Sequence, residues 1–241
     1  MTDSTTPHLA AVARLRELLE DPDSSVRLQV AMAAGTRPDP DYVGILVARC
    51  AVEPDFYVRD MLTWALTRHP AVVTVPLVLA ELETGAAQAR SQALHTLSKI
   101  GDPRGWQAIT RELLQDPDVE VARGAWRAAA ALAPHGAEAG LAQTLATQLG
   151  RGDRDVRMSL SRALAGLGDA ADAVLADAAA HGDAEARMHA IATQRLVRDP
   201  DEGFEASVFE AKRFLSLLDA PTAVEPSEPA FPEDPRAGTT S

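Results

Sequence analysis

The stretch Asp21-Pro22-Asp23-Ser24-Ser25-Val26-Arg27 is a polar turn that delivers a valine and an arginine onto an alanine-rich segment, and the chain repeats it. Degraded copies close on Arg59, Arg90, Arg123, Arg157 and Arg187, at steps of 32, 31, 33, 34 and 30 residues. A period of that length restricts the chain to architectures in which each unit buries its apolar face by stacking on its neighbours. Hydrophobic residues make up 46% of the chain but aromatic ones only 4%, so alanine and leucine must carry the packing. Small side chains let helices approach closely, which suits stacked helical hairpins better than packed sheets.

Leu9, Val12, Leu15, Leu18 and Leu19 recur at helical spacing and predict the first helix of repeat one. Val26, Val30, Ala33 and Ala34 stripe its second helix, with Gly35 as the expected stop. Asp39-Pro40 opens repeat two as N-cap and first helical position. His69-Pro70 opens repeat three, whose first helix is expected to run to Glu83 with a kink or delay at Pro76. Gly101-Asp102-Pro103 opens repeat four, with Trp106, Ile109, Leu113 and Leu114 on its first helix, and two further repeats reach residue 198.

Residues 8–198 therefore read as the solenoid, and 199–219, with Phe204, Val208, Phe209 and Phe214, as a capping helix over its open end. Residues 1–7 and the acidic, Pro-rich tail 220–241 are expected to be disordered. The amino terminus has no apolar signal core, no stretch approaches the roughly 20 apolar residues of a membrane span, and Cys50 is the single cysteine. A cytoplasmic protein without membrane contact is the expectation.

The turn-Val-Arg phrase, the acid six residues before the arginine (Asp21 to Arg27, Glu53 to Arg59) and the Gly101-Asp102-Pro103 junction resemble HEAT repeats, in particular the short class also called PBS-lyase-like. The resemblance implies an all-α, right-handed α-solenoid of about six helical hairpins plus the capping helix. Solenoids of this kind serve as scaffolds, adaptors, bilin lyase subunits and, in one divergent branch, DNA glycosylases. In the HEAT pattern the recurring arginine bonds to the turn acid and neighbouring carbonyls. Arg27, Arg59, Arg90, Arg123, Arg157 and Arg187 are accordingly read as a structural ladder. The copies depart from the pattern in that the acid is absent before Arg90, Arg157 and Arg187, and Arg123 sits one residue late.

If the positions three, six and seven after each ladder arginine face the core, those one, five and eight after it face the concave side. That row holds Met32, Asp60, Trp64, His95, Met158, Arg162 and Met188, with Gly124 and Ala128 standing for repeat four. Exposed tryptophan and methionine offer large, adaptable contact area, so these residues are the candidate partner-binding groove. No phosphate loop, nucleophile elbow or metal-ligand spacing appears, which leaves no catalytic residue, metal or cofactor to assign. The resulting expectation is a non-enzymatic scaffold or adaptor that takes an unidentified protein or peptide on its concave face. A formal net charge of −12 argues against nucleic acid. A HEAT-like DNA glycosylase or DNA-binding protein is the first alternative, with Asp60 the one convincing aspartate in the groove, and a bilin lyase-like subunit is the second.

Overall fold

The computed structural model describes residues 5–198, 208–209 and 211–213, and among them every regular element is helical. The first hairpin is α1 (Thr5–Leu19) and α2 (Ser24–Thr36). The second is α3 (Val43–Val52), entered by the 3-10 turn Pro40–Tyr42, and α4 (Phe56–Arg68). The third is α5 (Ala71–Ala80), the 3-10 turn Glu81–Glu83 and α6 (Ala87–Ile100). The fourth is α7 (Arg104–Ala108), α8 (Arg111–Leu114) and α9 (Val119–Leu132), and the fifth is α10 (Glu138–Ala146) and α11 (Arg154–Ala165). The sixth is the 3-10 turn Gly168–Ala171, α12 (Asp172–His181) and α13 (Ala184–Arg198).

The second helices α2, α4, α6, α9, α11 and α13 pack in series as one layer, and the first helices form the other. Leu46, Leu62, Leu97, Trp126, Leu145 and Leu164 lie buried between them. Each fully buried leucine contributes about 1.5–3 kcal/mol, so adjacent hairpins hold one another where none could stand alone.

The turn phrase shows why five of the six second helices start where they do. Asp23, Asp55, Asp118, Asp153 and Asp183 each accept from an amide in the first turn of the helix they precede. Two residues earlier, Asp21, Glu53 and Asp116 accept the N–H of the capping aspartate itself, at 2.8–2.9 Å. Both acids of Asp-Pro-Asp are thereby spent on backbone amides, and α6 alone starts without either, after Thr84 and Ala86.

Several expectations shift. The helix expected from His8 begins at Thr5. Gly35 does not stop α2 but lies inside it, because the Trp64 ring rests on it: a Cβ there would stand 2.8 Å from Ala65 Cα and strike the ring. α5 passes through Pro76 to Ala80, and 3-10 geometry takes up Glu81–Glu83. The first helix of repeat four is broken into α7 and α8. Ile109 leaves the helical conformation at φ −84, ψ 92, and the Thr110 hydroxyl accepts the Leu113 N–H to restart it. Two successive β-branched residues disfavour a continuous helix, and threonine is a good cap. The expected tail 220–241 lies outside the described residues, as does most of 199–219; residues 208–209 and 211–213 are helical, and Ala211 is buried against Ile191 and Ala192.

Candidate functional site

Three arginines of the ladder, Arg27, Arg90 and Arg157, bond both to carbonyls of their own turn and across the seam to the next hairpin. Arg27, only 5% exposed, donates Nη1 to Asp21 O and Pro22 O in its own turn. Its Nε and Nη2 grip both oxygens of Glu53, in the turn of the next repeat, at 2.9 and 2.7 Å. Glu53 also takes the Arg49 guanidinium and the Asp55 N–H. Burial pushes its carboxyl up, but the bonds from Arg27, Asp55 and Arg49 outweigh that and hold it at about 2. Arg90 repeats the arrangement with Thr84 O, Gly85 O and Asp116 Oδ2 of the next repeat. Arg157 bonds to Gly152 O and reaches Glu185 of the next repeat at 2.7 Å.

Arg123 is not a rung. Its one-residue delay puts Ala122, fully buried, in the ladder position, and Arg123 one residue after it, in the register of Asp60 and Ser91, half-buried and paired with Glu120 at 2.8 Å. The carbonyls that a rung would have capped, Asp116 O and Pro117 O, are taken from the other side by Arg151 Nη2 of repeat five. The same delay moves the whole inner row on α9 by one. Gly124 and Ala128 are buried, and Arg127 stands five residues after the ladder position, level with Met32, Trp64, His95 and Arg162. Arg127 and Arg151 were missed in the sequence, although the late Arg123 was the signal that could have found them.

The open part of this face is a cleft of about 410 Å³ across α4, α6 and α9, lined in part by Arg59, Asp60, Ser91, His95 and Arg127. Asp60 Oδ1 is 3.8 Å from His95 Nε2, too long for a hydrogen bond. Burial, then the charges of Arg127 and Lys99, lower the His95 pKa against the pull of Asp60, so the imidazole is neutral at pH 7. Burial and the nearby Arg123 likewise lower Arg127. Its side chain makes one hydrogen bond, Nε to Arg123 O at 3.3 Å, and Arg162 is exposed. Among the described residues no hydrogen bond joins Ser91 to His95, and the cleft lining is largely charged and polar.

Of the other groove candidates, Met32 is 48% and Trp64 39% exposed, on the same face beyond the cleft. Met158 and Met188 do not belong to an open groove. Both are half-buried in a separate apolar cluster with Ile191 and Ala192, closed over by Val208 and Ala211. At the other end of the molecule His8, Asp39 and Asp41 bring ligand-type atoms within 4.8 Å of one another. The geometry is that of an ion-paired imidazole, Nε2 2.7 Å from Asp41 and Nδ1 3.4 Å from Asp39. Among the described residues no helix is long and apolar enough to cross a membrane.

Serial helical hairpins with a second-helix layer joined by turn-to-turn arginines define an α-solenoid. Over residues 4–67, the first two hairpins, the chain matches the family described as HEAT repeats. HEAT repeats are generally protein-interaction scaffolds. No curated protein matches the chain.

Proposed function

We propose that the protein is a non-enzymatic interaction module that takes a segment of a partner protein along its second-helix face. The observation that carries this reading is the cleft across α4, α6 and α9, lined in part by Arg59 and Arg127, on second helices that also expose Met32, Trp64 and Arg162. Apolar anchors beside unpaired guanidinium groups are what a peptide-binding surface needs: area for affinity, charge for register. A partner of these cations carries acid, and the excess of negative charge over the rest of the chain repels nucleic acid.

Affinity capture with the full chain, followed by pairwise binding of each recovered protein to wild type and to the double variant Trp64→Ala, Arg162→Glu, tests the face. Loss of binding with an unchanged circular dichroism spectrum supports it. Equal binding of every recovered partner by the folded variant overturns it.

A further inference from the structure

Among the described ladder arginines that have a further hairpin after them, Arg59 is the rung with no carboxylate, and it opens into the cleft. Arg59 bonds through Nη1 to Glu53 O and Pro54 O, both at 2.8 Å, as Arg27 does with its own turn. The two positions from which a next repeat supplies an acid elsewhere are the turn residue two before the helix cap, held by Glu53 and Asp116, and the residue two before the next ladder arginine, held by Glu185. In repeat three these positions are Thr84 and Gln88. Thr84 turns its hydroxyl to Glu81 O, and Gln88 donates its amide to Glu53 O, so both are neutral and already engaged. The guanidinium is steadied instead against the Phe56 ring, 5.9 Å away.

The acids that share the cleft do not fill the gap. Asp60 leans to His95, Asp118 caps α9 through the Glu120 and Val121 amides, and Glu120 pairs with Arg123. From the far wall Arg127 adds a second cation, with no acid partner among the described residues.

We propose that the Arg59 rung is completed in trans: an Asp or Glu side chain of a bound peptide segment enters the cleft between Arg59 and Arg127 and takes the place that Glu53 and Asp116 hold at the neighbouring seams. A peptide fits better than a free carboxylate, because the cleft spans three helices and Trp64, one turn after the cleft residue Asp60 on α4, is exposed. This deepens the partner-binding reading and rests on it, since the cleft lies on the same face.

A fluorescein-labelled hexaglutamate peptide, with hexaglutamine as its neutral counterpart, is titrated in low salt with anisotropy as the readout. A chain of net charge −12 has no general affinity for a polyanion, so binding of hexaglutamate and not of hexaglutamine is the expected result. Thr84→Glu places the missing acid inside the protein; it should weaken the peptide by about tenfold or more without lowering the melting temperature, while Thr84→Gln binds as wild type. Equal binding of the two peptides, no binding of either, an undisturbed Thr84→Glu, or displacement by inorganic phosphate as readily as by unlabelled peptide would each overturn the proposal. If Trp64→Ala, Arg162→Glu abolishes partner capture while Thr84→Glu does not, the face stands and the carboxylate fails. If Thr84→Glu releases hexaglutamate but no captured partner responds to either variant, the face itself fails.

Discussion

Replacing Glu53 by alanine removes the acceptor that joins the first two hairpins and leaves the Arg27 guanidinium buried, 5% exposed, with only its two turn carbonyls. Breaking one partner out of a buried ion pair costs about 3–5 kcal/mol. Titration provides a second route to the figure. Glu53 is fully buried, and its carboxyl is held at about 2 against an ordinary 4.5. The unfolded carboxylate therefore binds its proton first as pH falls. The stability from the pairing is complete above 4.5 and is lost towards about 2; at 1.36 kcal/mol for each pH unit it is worth about 3 kcal/mol at pH 7. Arg49, 18% exposed, can swing to water, so the penalty falls mainly on Arg27. Urea unfolding followed by circular dichroism at pH 7 should show a loss of about 3 kcal/mol for Glu53→Ala. Pairing it with Arg27→Met should recover most of that loss, because the stranded charge is gone. A loss under about 1 kcal/mol, or a wild-type acid profile in Glu53→Gln, would refute the claim that this rung carries the seam.

Arg151→Ala should destabilise by about 1–3 kcal/mol by stripping Asp116 O and Pro117 O of their donor, whereas Arg123→Ala, which breaks an i,i+3 pair with the exposed Glu120, should cost under about 1 kcal/mol; the reverse order in thermal melts would restore Arg123 to the ladder. Gly35→Ala should cost about 1–3 kcal/mol and shift the tryptophan emission, since the added methyl meets the Trp64 ring and the Ala65 backbone. His189 accepts the Gly150 N–H on Nδ1 and so presents Nε2–H to Arg157 O and Ser161 Oγ. Burial lowers its pKa to about 4. Being depressed below the unfolded 6.5, it contributes stability that is full above 6.5 and falls by about 3 kcal/mol towards pH 4. Urea midpoints of wild type and His189→Gln across that range should converge as the pH drops.

The stack of hairpins was legible because every turn phrase states its own chemistry: an acid for the turn, proline after it, a capping aspartate, then the arginine. What the sequence concealed was what those groups meet across a seam. Glu53 reads as the acid of its own turn, yet it is gripped by an arginine 26 residues earlier. Gly35 reads as a terminator because its partner, the Trp64 ring, lies one hairpin away. On the candidate face, Asp60, His95, Met32, Trp64 and Arg162 followed from helical spacing alone. The single extra residue before Arg123 rotated the register of α9 and hid Arg127. Met158 and Met188 were misread because nothing local to them announces that Val208 and Ala211 will cover them.

The charged rungs fall at alternate seams: Arg27–Glu53 joins hairpins one and two, Arg90–Asp116 three and four, Arg157–Glu185 five and six. Between two and three the layers meet through the Thr63, Gln92 and Thr96 side chains, and between four and five through Arg151 and two carbonyls. The seams without a carboxylate are then the ones expected to yield first. Bending, pulling or amide exchange should open the stack by pairs of hairpins, not one at a time. The cleft straddles the first of those seams, so an occupant there would set the curvature of the whole molecule as well as fill a hole in its side.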